Sequence, residues 1–363
     1  MKKRGWFRKL IEWEYWPFHW VYGPVYPVFA WYVVRSGFRF FFSASNPSIY
    51  SGGFLMESKK KVYNILPAGT YPVTLYFEPG TLANTVLQET LAAGIGFPMI
   101  LKPDIGGRGR AVVVVKDTDE LHYYVPQYTL PFLAQDFIPY EKEAGIFFVK
   151  HPGSKMGRVT GIVGKSFGSV TGDGIHTIEA LIDADERLCL YKESLAPQLG
   201  KRMEKILAEG ETEVLVPFGN HARGAAFYNW QHLINDRLHT WASNLANNID
   251  GFYFGRLDIR FNDWDEMILE NKFSIIELNG AGSEATHIYD PSQSIFYAWK
   301  EIIRHWSLLW QVSHANHTRG VPYMTFSEGR KMFRDNSEND AILDKLHLAL
   351  LKKYEPVAGK MIE

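Results

Sequence analysis

Two periodicities run along the chain. Short apolar runs closed by a polar residue predict strands, and longer stretches with apolar residues every three or four positions predict helices. MILK at 99–102 and AVVVV at 111–115 read as two strands around a glycine-rich turn, and a helix opens at 117–121. LAQDFI at 133–138 and GIFFV at 145–149 bracket an acidic turn. GFYFGRLDIRF at 251–261 and FSIIELN at 273–279 form a further strand pair across a polar turn. Ala180, Leu181, Leu188, Leu190 and Leu195 predict helix over 178–210, ending at Gly210. Further helices are expected over 228–249, 292–312 and the charged tail 326–354, and no internal repeat is visible.

The N-terminal stretch follows neither pattern. Residues 16–34, WPFHWVYGPVYPVFAWYVV, lack any charged Asp, Glu, Lys or Arg, a length near the lower limit for a membrane span. Pro17, Pro24 and Pro27 oppose a spanning helix, and Trp and Tyr favour the headgroup region. Lys2, Lys3, Arg4, Arg8, Lys9, Arg35 and Arg39 flank it, against Glu12 and Glu14 only. The reading is a segment of residues 1–42 seated at an anionic membrane surface. Packing against the protein body, an oligomer contact, and a signal peptide cut near Ser43-Ala44-Ser45 stay open as alternatives.

Composition narrows the function classes. Lys plus Arg total 39 and Asp plus Glu 40, which argues against a nucleic-acid binder. Cys189 is the single cysteine, so neither a disulfide framework nor a Cys-rich metal site is expected, and a cytoplasmic protein, peripheral on the membrane, fits.

Three blocks carry candidate chemistry. In the first, Gly106, Gly107, Arg108 and Gly109 tip a hairpin whose amides and cation suit phosphate, with Lys102 emerging beside it; an ordinary hairpin is the plain alternative. In the second, the backbone of Gln135, Asp136, Phe137 and Ile138 can hydrogen-bond adenine. Glu143, or Glu141 beside it, can hold ribose hydroxyls, unless both sit on a solvated turn. In the third, Asp258 lies in one strand while Glu277 and Asn279 alternate along the next, so all three can share a sheet face. Such hard oxygen donors suit Mg²⁺ bridging a triphosphate, and burying them without a cation is costly. Cys189 in a charged stretch, the isolated pair His314 and His317, and serines without a Gly-x-Ser-x-Gly context offer little for nucleophilic or zinc chemistry.

Taken in order, these blocks resemble the ATP-grasp superfamily from about residue 58 to about residue 306. Residues 163–182 (VGKSFGSVTGDGIHTIEALI) and 218–227 (FGNHARGAAF) resemble the cyanophycin synthetase type, with D-alanine–D-alanine ligase a more distant relative. The resemblance implies an α+β fold in which two α+β subdomains grip ATP between them. The expected divisions are an aromatic, basic segment at 1–47, a short region at 48–96, the catalytic core at 97–312 and a helical tail at 313–363. It implies ATP with Mg²⁺, usually two ions and replaceable by Mn²⁺, held by Asp258, Glu277 and Asn279. Lys102 and Lys165 would contact phosphates, and residues 106–109 would form a lid. Arg223 would stabilise an acyl phosphate or hold a substrate carboxylate, and His176 and Thr177 would sit near the acceptor. The implied reaction joins a small-molecule carboxylate to an amine through an acyl phosphate. The family's usual N-terminal domain has no room here beyond a vestige, which points to a substrate, or a lipid-linked carrier of it, at the membrane. A phosphotransferase on the same core and a non-catalytic nucleotide-binding membrane protein are the competing readings.

Overall fold

The computed structural model describes residues 11–215 and 224–351. Its strands are β1 (Thr74–Phe77), β2 (Met99–Pro103), β3 (Val113–Val115), β4 (Phe132–Asp136), β5 (Lys142–Val149), β6 (Arg158–Ser166), β7 (Ser169–Thr171), β8 (Thr212–Val214), β9 (Ala226–Asn229), β10 (Phe254–Phe261) and β11 (Phe273–Asn279). They form an antiparallel four-stranded sheet in the order β1-β4-β2-β3, an antiparallel five-stranded sheet in the order β11-β10-β5-β6-β9, and a ribbon of β7 and β8. The α+β architecture expected from the sequence, two sheet-and-helix bodies, is the one adopted.

Alternation within each strand sorts the cores. On the first sheet Met99, Leu101, Ala134 and Phe132 turn one way, into a core shared with Val86, Leu121 and three leucines of the C-terminal helix Phe326–Leu350. Ile100, Lys102, Leu133 and Gln135 turn the other way. On the second sheet Ile146, Phe148, Ile162, Leu257 and Ile259 pack with Leu238, Trp241 and Leu245 of helix Asp236–Asn247. The opposite face carries the polar residues considered below. Helix Lys59–Ile65 joins the bodies through Tyr63, whose hydroxyl donates to the Ile276 carbonyl on β11 and accepts from Lys102 on β2.

Two helical expectations need correction. The stretch 178–210 holds helices Ile178–Ala184 and Lys192–Leu199, each followed by a 3₁₀ turn, the last ending at Glu204, so Gly210 ends no helix. Its leucines instead fill a small satellite core with β7. The helix expected from 228 begins at Asp236, because 226–229 is β9, paired to β6 at the sheet edge.

The N-terminal segment packs on the body along one side. Helices Phe18–Tyr22 and Tyr26–Arg35 lie against the long helix Ile295–His317. Val21, Tyr22 and Val25 are buried with Ala298 and Ile302, and Phe41 and Phe42 are fully buried beside Leu309. The Ser43-Ala44-Ser45 stretch is therefore core, and Asn46 beside it pins the chain. Its Nδ2 donates to the carbonyls of Gly52 and Phe254, both at 2.8 Å, and its Oδ1 accepts from the amides of Tyr253 and Phe254 at 2.9 and 3.0 Å. Asn46→Ala takes the side-chain partner from the Tyr253 and Phe254 amides and the Phe254 carbonyl, while the Gly52 carbonyl keeps the Ala281 amide at 2.9 Å, and is expected to cost about 3 kcal/mol, read as a lower denaturation midpoint at unchanged m-value.

Candidate active site

β10 builds the centre of the site. Its alternation FGRLDIRF puts Arg256, Asp258 and Arg260 on one face, between Glu277 and Asn279 of β11 and Glu143 and Gly145 of β5. Asp258 stands opposite Glu277, and Arg256 opposite Asn279, with a bulge just after Asp258. Gly145 is needed here: a Cβ would meet Asp258 Oδ1 and Arg256 Cδ at 2.9 Å. Arg256 forks onto Asp258 through Nε at 2.7 Å and Nη2 at 2.9 Å. Lys165 Nζ on β6 lies 3.2 Å from Asp258 and 2.8 Å from Glu143, which Arg260 approaches at 3.5 Å. Asn279 Nδ2 lies 3.4 Å from Asp258 Oδ2. Burial alone would raise the Asp258 carboxyl, but Arg256 and Lys165 outweigh it and hold the pKa below the ordinary range. Burial likewise opposes the Lys165 ammonium, and Asp258 and Glu143 hold its pKa above the usual lysine value.

The first sheet supplies the other wall. Lys102 is buried, with its ammonium donating at 2.8 Å to both Tyr63 Oη and Gln135 Oε1. Burial pushes its pKa down to about 8. Lys59 donates to the carbonyl of Gly106 in the glycine hairpin and lies 3.9 Å from Glu277. Glu57, half-buried near Glu277, is pushed up to about 8 by desolvation and then by that charge. These groups line a cavity of about 10 Å³ with Val62, Tyr63 and Leu278, room for a single water or small ion.

The hairpin between β2 and β3 has Gly106, Arg108, Gly109 and Ala111 at positive φ. Its far side is tied to the C-terminal helix: Arg110 pairs with Asp340 and, at 3.0 Å, with Asp344. Arg108 lies within electrostatic reach of Tyr289 on the segment after β11, so the hairpin reaches from the first sheet toward the second body. Asp136, Phe137 and Ile138 form the end of β4 and the crossover into β5, where the chain passes from one sheet to the other.

No family model and no curated protein matches the chain. Among solved structures it is similar to D-alanine–D-alanine ligase from Bacillus anthracis, at 13% identity over 72% of this chain and 67% of that one, with a TM-score of 0.39. It is also similar to a bifunctional glutathione synthetase from Pasteurella multocida, at 13% identity over 68% of this chain and 35% of that one, with a TM-score of 0.36. A third is the ATP-grasp ligase PsnB complexed with a minimal precursor, at 12% identity, 62% and 52% coverage and a TM-score of 0.32. The chain thus spans about a third of the glutathione synthetase and about half of PsnB.

The other candidate residues occupy varied surroundings. Lys102 on β2 is caged by Tyr63 and Gln135. Glu143 is a buried residue of β5 held by Lys165 and Arg260, while Glu141 before it is exposed. His176 is exposed and pairs with Asp173 at 2.6 Å, while Thr177 caps helix Ile178–Ala184. Arg223 lies outside the described residues. Four residues were missed: Arg256, Glu57, Lys59 and Tyr63. Arg256 had a legible signal, two positions from Asp258 on the same strand face; the others come from a segment without a strand pattern.

Proposed function

We propose that this chain is an ATP-dependent carboxylate–amine ligase on an ATP-grasp core, working against an anionic membrane surface. The supporting observation is the convergence of Asp258, Glu277 and Asn279 with Arg256 and Lys165 on one sheet face. Three oxygen donors without sulfur or imidazole fit Mg²⁺, and the ionised Asp258 already sits among cations. Bound there, Mg²⁺ would neutralise the β- and γ-phosphate oxygens. The cavity of about 10 Å³ beside Glu277 has room for a water or a small ion.

The substrate carboxylate oxygen attacks the γ-phosphorus, ADP departs, and a mixed anhydride forms. The amine nitrogen then attacks the carbonyl carbon, phosphate leaves with the former carboxylate oxygen, and the nitrogen sheds a proton. In this reading Lys165 and Arg256 hold phosphoryl oxygens and Arg256 stabilises the tetrahedral oxyanion, while Arg223 keeps its proposed role at the acyl phosphate or a substrate carboxylate. The 106–109 hairpin would exclude water from the anhydride.

Membrane contact is supported by the outward side of the N-terminal helices. Trp20, Trp31 and Phe38 are 69%, 58% and 68% exposed, alongside exposed Tyr26 and Val34 and the cations Arg35 and Arg39. Among the described residues no helix is long and apolar enough to cross a membrane.

Mass spectrometry of lipid and polar extracts from cells with wild type or Glu277→Gln tests the reaction. The expected difference is a product with the mass of an acid plus an amine less water; a phosphorylated product instead would make the protein a phosphotransferase. A second expectation concerns pH. Lys102 must be charged to hold phosphate, and its pKa of about 8 in the free protein lies far below the ordinary lysine value. ATP affinity should therefore fall as pH rises through about 8, approaching tenfold per unit. Titration of fluorescent ATP against wild type and Lys102→Met checks this: the variant binds more weakly at neutral pH and loses the alkaline decline.

A further inference from the structure

A buried cluster beyond the candidate site has no part in the proposed reaction. His287, on the 3₁₀ turn Thr286–Tyr289, meets Glu301 and His305, one turn apart on helix Ile295–His317. One ligand atom from each lies within 4.8 Å of the others, and among the described residues this is the one such group. All three residues are buried. His287 Nε2 is 3.0 Å from Glu301 Oε2. The His287 ring lies on bare strand backbone: a Cβ on Gly161 of β6 would meet its Nδ1 at 2.6 Å. Nδ1 of His287, Nδ1 of His305 and Oγ1 of Thr160 are buried without hydrogen-bond partners.

The centre of the cluster holds a cation. Arg304 Nη2 donates to Glu301 Oε2 and to the Thr160 carbonyl, and lies 3.3 Å from His305 Nε2. Its side chain is 36% exposed, unlike the three it touches, so it can withdraw into solvent. We propose that His287, Glu301 and His305 form a binding site for a zinc-class divalent ion, with the Arg304 guanidinium holding the ion's place until it binds. Two imidazoles and one carboxylate with a further open position are a donor set for zinc and not for magnesium. Burial, with His287 and Arg304, pushes His305 down to about 3, so its imidazole is neutral. Burial would raise Glu301, but His287 and Arg304 outweigh it and hold the carboxylate at about 2. An ion here would fasten the segment after β11 to the long helix, independently of any ligase activity.

The test is calorimetric titration of the metal-stripped full chain with Zn²⁺, with Co²⁺ as a spectroscopic probe. Wild type should take up one equivalent and give the intense visible bands of tetrahedral Co²⁺. His305→Gln should lose affinity about 100-fold, and Arg304→Met, which removes the competing cation, should gain about tenfold. Glu277→Gln should bind zinc as wild type does, which separates this site from the magnesium donors. Should His305→Gln fail to fold, Arg304→Met decides, because its side chain is the accessible one. Zinc uptake unchanged in His305→Gln, or no gain in Arg304→Met, would overturn the assignment.

Discussion

Glu277→Gln lowers ATP turnover by roughly 1000-fold or more and leaves the protein folded. The amide keeps the shape of the side chain and one oxygen donor but removes the charge that would face a metal and triphosphate. Folding should be little affected, because the Glu277 side chain is 31% exposed and its cation partner, Lys59, lies 3.9 Å away. Asp258→Asn should abolish turnover equally but is not silent in stability. Asp258 is buried between the Arg256 fork and Lys165, and neutralising it leaves Lys165 with Glu143 and Arg256 with only the more distant charges of Glu277 and Glu284. Breaking such a buried pair costs about 3–5 kcal/mol, so its melting temperature should fall while that of Glu277→Gln barely moves. Phosphate release at saturating Mg-ATP, beside thermal melts of both variants, reads the two effects separately. Full turnover in either variant would remove the proposed metal set and the ligase reading with it.

The parts of the fold legible in the sequence are those where period and position agree. Asp258 between Leu257 and Ile259, and Glu277 two positions before Asn279, carry period-2 alternation, and strand pairing brings them onto one face. The long helix Ile295–His317 and the tail helix Phe326–Leu350 likewise show their stripes. What failed to show depends on tertiary context. Leucines at helical spacing over 178–210 look the same whether they line one helix or several short turns around a satellite core. Glu143 reads as a turn residue because Glu141 and Lys142 flank it, yet Lys165 and Arg260 draw it into β5. Glu57, just before helix Lys59–Ile65, and Lys59 and Tyr63 on it reach the site from a segment that precedes every recognisable motif, and only the folded chain reveals that they line its wall. The His287, Glu301, His305 group joins positions too dispersed for a metal-ligand spacing to be read.

Trp20→Ser, Trp31→Ser and Phe38→Ser combined should weaken binding to anionic vesicles by about 100-fold, with little change in melting temperature. Each ring is mostly exposed, so its removal takes nothing from the core. Deleting residues 1–42 is not an equivalent experiment. It would strip out Val21, Tyr22, Val25, Phe41 and Phe42, all buried, together with the Tyr22 hydroxyl that donates to Glu284 at 2.6 Å. Loss of vesicle binding after that deletion would report unfolding as readily as release. The substitutions separate the two sides of the segment: Phe29, Tyr32 and Val33 face the body, while Trp31 and Val34 face outward. If the outward face meets lipid, wild type sediments with anionic vesicles, less so with zwitterionic ones, and high salt weakens the electrostatic share carried by Arg35, Arg39 and the basic residues before them. If that face instead joins two copies of the chain, light scattering shows wild type as a dimer and the triple variant as a monomer, with vesicle binding absent in both. Sedimentation of the triple variant with anionic vesicles as complete as that of wild type would exclude these three rings as the membrane contact.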